Sequence, residues 1–357
     1  MKILAVSPTY HPHVGGVEYV VESVAERLAK MGHDVTVLAG EPGAEGPREE
    51  EVNGVKVVRW PTRAPGGAYH VPRQRSELEA QLRELSRGVD VVHLHSVHAV
   101  LPVWVGLKLR QLGFAGRAVV TPHFHGSGHT SLRRLLWIPW RAYLKKLLGS
   151  VDVVHAVSEY EAELIGKSFG VKPVVVEHGV DEDVFEYHWS PEDYAMYSGR
   201  LERYKNVERL ARIVRALNDM GLKVRLEVYG EGPYRGKLEE ELRRIGVEYR
   251  LEGFQPRQVY LQKLSRARFF ALLSEKEAFG QTANEANAIG VPTVVAKPWG
   301  KHFAKRPRTL VANLAERDEE IAKKMLKLLE EAPKRPKPKV PTWSETADKY
   351  LKHLYTF

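Results

Sequence analysis

The chain has 357 residues, of which 54 are lysine or arginine and 45 are aspartate or glutamate, so its formal net charge is +9. At about 100–200 residues per domain, this length predicts two domains that can each bury a core. The chain has no cysteine, which excludes disulfide frameworks and thiolate metal sites, and its positive charge favours anionic partners such as nucleic acid, anionic lipid or a sugar nucleotide.

The first residues, MKILAVSPTY, carry too short an apolar run for a signal peptide. Nowhere does the sequence hold the run of about eighteen apolar residues that a transmembrane helix needs. We therefore expect a cytoplasmic protein.

The N-terminal residues have the order strand, glycine loop, helix, strand. Lys2 to Ser7 is predicted as a strand, Val17 to Met31 as an amphipathic helix and Val35 to Ala39 as a second strand. This βαβ order predicts a parallel sheet. Gly15 and Gly16 carry no side chains, so a ligand can approach the backbone amides at the start of the helix. By itself, such a glycine pair is equally typical of an ordinary turn.

The same alternation continues through the first half of the chain. Further strands are predicted at Val52 to Trp60, Val89 to His95 and Val119 to His123, with helices at Gln74 to Arg87 and near Pro102 to Leu112. His123 and His125 then lie at the carboxyl end of a strand, where open parallel sheets bind ligands. Either histidine can contact a ligand there, and a loop histidine bonded only to backbone groups is the alternative.

The segment from Arg133 to Leu148 mixes aromatic and basic residues. Its composition includes Trp137, Trp140, Tyr143, Arg133, Arg134, Arg141, Lys145 and Lys146. A basic amphipathic segment with aromatic residues is typical of a membrane interface, and a helix with its apolar face on the core explains it equally well. Pro139 interrupts the helical period, so one helix or two can form here.

Glu182 to Asp193 contains a proline and no clear period, and we predict an interdomain linker there. A new strand, Tyr194 to Ser198, then runs into the segment GRLERYKN. In this segment Arg200, as a planar fork, and Lys205, as a point charge, can bring two positive charges to a diphosphate. A later predicted strand begins at Tyr249 and ends near Phe254.

The stretch FFALLSEKEAFGQTANEANAIGVP contains a buried strand, a polar loop and a helix with a glycine stop. Glu277 is predicted in the loop and Glu285 on the second turn of the helix. Free amides at the helix start, near Gly280 and Gln281, suit a phosphate, while the two carboxylates suit hydroxyl groups that donate hydrogen bonds. The stretch therefore predicts a site for a phosphorylated sugar.

Several motifs together resemble the retaining glycosyltransferases of family 4. They are the E-x7-E spacing of Glu277 and Glu285, with Phe279-Gly280 and AIGVP following, PTYHPHVGGVE near the N-terminus, GRLERYKN, and the turn GEGP at 230–233. His178 stands where the family usually has asparagine before Gly-Val-Asp. Lys297 to Phe303 stands where the family commonly has a Gly-Gly loop, which leaves the donor sugar open.

The resemblance implies the GT-B architecture, in which two doubly wound, Rossmann-like α/β domains face each other across a cleft. We place the acceptor-binding domain at residues 1–187, the nucleotide-sugar-binding domain at 188–335, and a linker and C-terminal helix that packs on the first domain at 336–357. The implied reaction transfers a hexosyl unit from a nucleoside diphosphate sugar to a hydroxyl of a lipid-linked, polyol or saccharide acceptor, with retention of anomeric configuration.

The resemblance also implies residue roles. Arg200 and Lys205 would hold the diphosphate, Glu277 the sugar hydroxyls and Glu285 the ribose, while alignment on Thr121 points to His123 as the histidine at the donor sugar. Gly15, Gly16, Phe254, Phe279, Gly280 and Gln281 would complete the donor site. No DxD-like motif calls for a divalent metal, so neither a metal nor another cofactor is expected. In the implied front-face mechanism the departing phosphate helps to deprotonate the acceptor.

Two other functions fit parts of the sequence. A sugar-nucleotide epimerase of the same architecture would share the diphosphate site. A nucleic-acid-binding protein would account for the positive charge, but the basic residues are scattered and no such motif is present. We therefore expect a sugar nucleotide and an acceptor as partners, no nucleic acid, and a possible anionic membrane surface bound through Arg133 to Lys146.

Overall fold

The computed structural model describes residues 1–13, 15–126 and 131–356, with side chains outside 131–136. The chain divides into two compact units. The first comprises Met1–His178 together with the residues from Trp343 onward, and the second comprises Gly179–Thr342.

The strands of the described residues, in chain order, are β1 (Lys2–Ser7), β2 (Asp34–Pro42), β3 (Arg48–Val52), β4 (Val55–Arg63), β5 (Val71–Pro72), β6 (Val91–His95), β7 (Arg117–Thr121), β8 (Val153–Ala156), β9 (Val174–Val175), β10 (Tyr194–Ser198), β11 (Arg225–Tyr229), β12 (Tyr249–Gly253), β13 (Phe269–Leu272), β14 (Thr293–Ala296) and β15 (Thr309–Ala312). The α-helices are α1 (Gly16–Lys30), α2 (Arg75–Leu85), α3 (Val100–Leu109), α4 (Ser131–Leu148), α5 (Glu159–Phe169), α6 (Val207–Asp219), α7 (Arg235–Ile245), α8 (Arg257–Arg266), α9 (Gln281–Ile289), α10 (Asp318–Glu331) and α11 (Trp343–Tyr350).

The first unit is built on one sheet, whose order is β3-β4-β2-β1-β6-β7-β8-β9, with β5 paired to β4. All pairs are parallel except the two that β4 forms with β3 and β5. The order of the parallel strands reverses direction at β1, which lies between β2 and β6. Such a reversal opens a crevice at the carboxyl ends of the strands.

The C-terminal helix is part of the first unit. Trp343 is fully buried, and its indole Nε1 lies 3.2 Å from the hydroxyl of Tyr19 on α1. Beyond α11 the chain continues as a π-helix, Leu351–Tyr355, in which Tyr355 is buried. This segment therefore contributes to the core of the unit that also contains the N-terminus.

The second unit is a six-stranded parallel sheet with the order β12-β11-β10-β13-β14-β15 within the described residues. Numbered within the unit, this order is 3-2-1-4-5-6, the arrangement of dinucleotide-binding folds. Its central strand β13, Phe269–Leu272, is buried along its whole length, as expected for a parallel strand covered on both faces. The crevice of this unit lies between β10 and β13.

The predicted class of α/β structure with two Rossmann-like domains is confirmed, and several local predictions differ from the structure. The region from Val52 to Trp60 is not a single strand, because Asn53 and Gly54 take positive φ and turn β3 into β4 as a hairpin. The helix α4 runs through Pro139 without a break.

The division between the units also differs from the boundaries expected at 187/188 and 335/336. The region predicted as a linker, Glu182 to Asp193, begins with a 3₁₀-helix, Glu182–Glu186, in which Val184 is buried. A parallel bridge between Val180 and Thr342 joins the two ends of the second unit. The burial of Val184 thus places Glu182–Glu186 in the second unit, and the bridge at Thr342 places the end of the segment before α11 there as well.

Candidate functional site

The loops that follow β10 and β13 meet at the crevice of the second unit. The backbone amide of Glu275 donates to the carbonyl of Tyr204 at 2.9 Å, and the side-chain amide of Asn206 donates to the carbonyl of Leu273 at 3.1 Å. Asn206 takes a left-handed conformation with φ of 55°, which asparagine tolerates better than most residues. These bonds fix the position of Lys205 against the loop after β13.

Lys205 and Glu277 form an ion pair in this crevice. The Nζ of Lys205 lies 2.6 Å from Oε1 of Glu277, and the two side chains are 12% and 18% exposed. Burial alone would lower the pKa of Lys205, but the negative charge of Glu277, with smaller contributions from Tyr204 and Tyr197, raises its pKa above the ordinary value. The lysine is therefore a fixed positive charge at the carboxyl end of the sheet.

The helix α9 begins beside this pair. Gly280 precedes it with φ of 96°, and a Cβ at this position would come within 2.6 Å of the Trp299 ring. Trp299 is fully buried and its indole donates to the carbonyl of Ser274 at 2.7 Å. The chain thus needs glycine at this position, and the packing presents the free amides of the first turn of α9, a site suited to anions.

Two other predicted donor-site residues lie at the same end of α9. Gln281 donates its side-chain amide to the carbonyl of Gly179 at 2.8 Å. Phe279 is buried and stacks on His302, with ring centroids 4.9 Å apart. His302 belongs to the segment that departs from the usual family pattern, so this segment forms part of the wall behind Phe279.

Glu285 lies on the second turn of α9, as predicted, and is 5% exposed at its side chain. Its Oε1 accepts from Arg257 at 3.1 Å and its Oε2 accepts from the hydroxyl of Tyr260 at 2.8 Å. Burial raises the pKa of Glu285, whereas the charge of Arg257 and the bonds from Tyr260 and Arg257 act in the opposite direction. Both carboxylate oxygens therefore have defined orientations.

Arg200 and Phe254 are the exposed members of the predicted set. The side chain of Arg200 is 64% exposed and its Nε lies 3.0 Å from Oε1 of Glu202. Phe254, directly after β12, is 67% exposed, which is unusual for a large aromatic residue and suits stacking against a ring. Among the described residues, neither side chain forms a hydrogen bond or an ion pair with Lys205 or Glu277.

In the first unit, Gly15 directly precedes α1 and Gly16 is its first residue, beyond the carboxyl end of β1 where the sheet forms its crevice. Thr9 donates its hydroxyl to Oε1 of Glu18 at 2.6 Å, and a Cβ on Gly15 would come within 2.2 Å of the other carboxylate oxygen of Glu18. A side chain at position 15 would thus require the Glu18 carboxylate to move away from this loop.

His123 follows β7 and is buried, with φ of 50°. Its Nε2 lies 3.4 Å from Nδ1 of His95, and its ring centroid is 5.9 Å from that of His178. Burial, together with the nearby His155 and His98, lowers the pKa of His123 to about 3. His125 instead stacks on His98 with centroids 4.3 Å apart, so the two candidate histidines have different surroundings.

Behind His123, a chain of buried hydrogen bonds has a defined direction. Because Nε2 of His155 faces the carbonyl of Val176 at 3.0 Å, it must donate, and its Nδ1 accepts from Thr121 at 2.7 Å. The Thr121 oxygen then accepts from Nε2 of His93 at 2.6 Å, and Nδ1 of His93 accepts from the hydroxyl of Tyr355 at 2.7 Å. This direction is that of neutral rings, which burial favours because it lowers the pKa of His155 to about 4 and the pKa of His93 well below its ordinary value.

The helix α4 presents apolar and basic side chains together on its exposed surface. Ile138 is 66% and Tyr143 54% exposed, and Arg141, Lys145 and Lys146 are also exposed. Trp140 instead points inward and donates its indole N–H to the carbonyl of Val97 at 2.9 Å. Arg133 and Arg134, part of the predicted membrane segment, lie outside the described side chains. Among the described residues no helix has the length and apolar character needed to cross a bilayer.

The sequence interpretation did not identify three residues that hold these sites. Arg257 and Tyr260 bind Glu285 from α8, and nothing in their local sequence distinguishes them from an ordinary helix start. Glu161 on α5 is fully buried and accepts hydrogen bonds from the amides of Phe124 and Val157. It thereby fixes the backbone directly after His123. The Ser158-x-x-Glu161 pattern is a capping-box signal that could have placed it at a helix start.

Comparison with known proteins identifies the family and the fold. A model of Glycosyltransferase Family 4 matches residues 14–184, and a model of Glycosyl transferases group 1 matches residues 181–340. The chain is 26% identical to a GDP-mannose-dependent alpha-(1-6)-phosphatidylinositol dimannoside mannosyltransferase of Mycobacterium tuberculosis, over 83% of this chain and 80% of that protein. It is 28% identical to a GDP-mannose-dependent alpha-mannosyltransferase of Mycolicibacterium smegmatis, over 87% and 82%. Among solved structures, sucrose-phosphate synthase from Thermosynechococcus elongatus superposes with a TM-score of 0.70 at 17% identity, covering 100% of this chain and 95% of that one.

Proposed function

The chain belongs to the GT-B glycosyltransferases of family 4, and from that premise we propose that it moves a hexosyl unit from a nucleoside diphosphate sugar to an acceptor hydroxyl with retention of anomeric configuration. The observation that carries the proposal is the buried Lys205–Glu277 pair, 2.6 Å apart, beside the start of α9. A cation and free helix amides suit a diphosphate, and a carboxylate suits sugar hydroxyls. One crevice thus offers partners for both halves of the donor.

We propose a front-face mechanism. Lys205, Arg200 and the amides at Gly280 and Gln281 would stabilise the negative charge that develops on the departing diphosphate. Glu277 would hold the sugar hydroxyls so that the acceptor approaches from the leaving-group side, where a phosphate oxygen takes its proton. No step in this scheme requires a metal ion.

His123 would contact the donor sugar or its phosphate as a neutral imidazole. Its burial, which lowers its pKa to about 3, supports a role as a hydrogen-bonding group and opposes a role as a general acid. Within the first unit, Gly15 and Gly16 would present backbone amides to a ligand. Phe254 would stack on the base and Glu285 would accept bonds from the ribose.

For the donor we propose GDP-mannose, and for the acceptor a lipid-linked hydroxyl. Support comes from the two relatives, whose names specify GDP-mannose, and from one that acts on a phosphatidylinositol dimannoside. The exposed Ile138, Tyr143, Arg141, Lys145 and Lys146 of α4 support docking on an anionic membrane. The enzyme would then work in the cytoplasm at the inner membrane face.

A two-step experiment tests the proposal. First, thermal shifts are measured with GDP-, UDP-, ADP- and dTDP-sugars, since a ligand at a hundred times its dissociation constant adds about 2.7 kcal/mol to stability. The stabilising donor is then incubated with lipid and saccharide acceptors, and the product linkage is determined by NMR. An α-linked product from an α-linked donor supports the proposal. A new sugar nucleotide formed without acceptor would show an epimerase instead.

A further inference from the structure

One guanidinium in the second unit contacts three carboxylates. Arg257 lies 3.0 Å from Asp181, 2.9 Å from Asp183 and 3.1 Å from Glu285. Its Nε and Nη2 bond to the two oxygens of Asp183, at 3.1 and 2.9 Å. This forked contact leaves Nη1 directed at Glu285, so the two aspartates fix the direction from which Arg257 reaches that glutamate.

Tyr260 holds the other side of the same carboxylate. Arg257 and Tyr260 are three positions apart on α8, so their side chains share one helix face. The tyrosine hydroxyl donates to Oε2 of Glu285 at 2.8 Å, while Arg257 donates to Oε1. The carboxylate is therefore held at both oxygens, and each oxygen keeps a lone pair for a further donor.

The surroundings of Glu285 make this support necessary. Its side chain is only 5% exposed, and an unsupported carboxylate at such burial would be poorly oriented and costly to keep charged. A ribose offers two neighbouring hydroxyls, and it gains a specific bond only if the acceptor oxygens are already aimed at them. The exposed part of the Glu285 carboxylate thus depends on Arg257 and Tyr260 for its orientation.

We propose that Arg257 and Tyr260 are positioning residues that hold the Glu285 carboxylate in the one orientation that recognises a ribose diol, so that they set the preference of this enzyme for ribonucleotide over 2′-deoxyribonucleotide donors. The inference rests on the proposed donor site. It adds a specificity function for two residues on a different helix from the motif.

The test compares ligands that differ by one hydroxyl. Calorimetry gives dissociation constants of GDP, 2′-deoxy-GDP, UDP and 2′-deoxy-UDP for the wild type, Tyr260→Phe and Arg257→Lys. The wild type should prefer the ribonucleotide of at least one pair by about tenfold, the size of one hydrogen bond to a charged group. In Tyr260→Phe the dissociation constant of that ribonucleotide should rise by a similar factor. The dissociation constant of its deoxy analogue should stay within about twofold of the wild-type value.

Controls separate positioning from general damage. Tyr249→Phe removes a hydroxyl from the first residue of β12, at the end of the strand away from its carboxyl terminus. It should leave the affinities for the ribonucleotide and for its deoxy analogue unchanged. With GDP-mannose as donor, Tyr260→Phe should raise KM and preserve kcat, because ribose binding is uniform along the reaction. Arg257→Lys keeps the charge but not the fork, and should reduce the same preference.

Each remaining outcome is decisive. If Tyr260→Phe weakens the binding of the ribonucleotide and of its deoxy analogue equally, Tyr260 has a structural role only and the inference is overturned. A wild type that binds both with equal affinity overturns it as well. A wild type that binds none of the four ligands overturns GDP-mannose as the proposed donor, and this inference with it.

Discussion

The ammonium of Lys205 and the carboxylate of Glu277, 72 positions apart in the chain, lie 2.6 Å from each other. Each compensates the charge of the other in a crevice where both are largely buried. In the proposed donor site a diphosphate would therefore meet no net charge from this pair, and the excess attraction would come from Arg200 and the first turn of α9. Removing one member of the pair leaves the other buried and uncompensated.

This pairing leads to the first prediction. Lys205→Ala should lower kcat/KM by roughly 30- to 1000-fold, or about 2–4 kcal/mol, because it removes a phosphate ligand and exposes the diphosphate to the charge of Glu277. Steady-state kinetics on the intact donor measure the effect. Lys223→Ala, at an exposed lysine before β11, is the matched control. Activity of Lys205→Ala within a factor of two of wild type would falsify the assignment.

The second prediction separates the two glutamates. Glu285→Gln should weaken binding of the free nucleoside diphosphate and of the whole donor alike, since the ribose is present in both. Glu277→Gln should not weaken diphosphate binding, because it removes a negative charge beside Lys205, and it should lower turnover, because the sugar is no longer fixed for attack. Calorimetry on both variants, paired with turnover, decides. If Glu277→Gln loses diphosphate affinity as severely as Glu285→Gln, the division of roles is wrong.

Much of the secondary structure of the second unit could be predicted from local sequence signals. The apolar run Phe269 to Leu273, the following polar loop and the glycine stop at Gly290 are local signals, and the structure has β13, a loop and α9 in those places. Glu277 and Glu285 accordingly occupy the predicted loop and helix turn. The order β12-β11-β10-β13 also follows from the alternation of strands and helices once a doubly wound sheet is assumed.

Long-range pairing could not be predicted in the same way. Arg257 reaches Glu285 and Asp183 from positions 28 and 74 residues away, and one sequence contains no signal for such contacts. The β3–β4 hairpin is different, because Asn53-Gly54 is a strong local turn signal that the continuous-strand interpretation overlooked. The boundary between the units after His178 could not be predicted either, because it depends on contacts of the folded chain such as the burial of Val184.

The third prediction concerns metal. We expect turnover to survive EDTA, because the proposed scheme assigns the diphosphate charge to Lys205, Arg200 and the amides of α9. Initial rates are compared in buffer, in EDTA, and in EDTA with excess Mg²⁺. Loss of activity in EDTA that Mg²⁺ restores would require a divalent ion in the mechanism.

The fourth prediction tests α4 as a membrane surface. Reversing the charges of Arg141, Lys145 and Lys146 to glutamate should reduce binding to anionic vesicles by at least about 100-fold, since each basic residue near such a surface contributes about 1 kcal/mol. Sedimentation with phosphatidylglycerol and phosphatidylcholine vesicles measures it. The control reverses Lys323, Lys324 and Lys327, three exposed lysines of α10. Equal sedimentation of the wild type with both lipids contradicts the prediction.

The last prediction follows from the buried histidines of the first unit. Burial, together with the nearby His155 and His98, lowers the pKa of His123 from 6.5 to about 3. Burial likewise lowers the pKa of His155 from 6.5 to about 4, against the opposing bond to Val176. Below pH 6.5 the unfolded chain binds protons that the folded unit does not, so stability is complete above that pH and falls as pH drops toward 4.

The slope should be roughly 1.4 kcal/mol per pH unit for each histidine that stays neutral. Urea midpoints, followed by tryptophan fluorescence between pH 7.5 and 4, report it. His155→Gln should be less stable than wild type at pH 7.5, because the amide replaces two well-placed hydrogen bonds, but its midpoint should depend less steeply on pH. His353→Gln, at an exposed histidine in the same unit, should retain the wild-type slope. A His155→Gln slope equal to that of wild type would mean that this histidine already titrates in the folded protein.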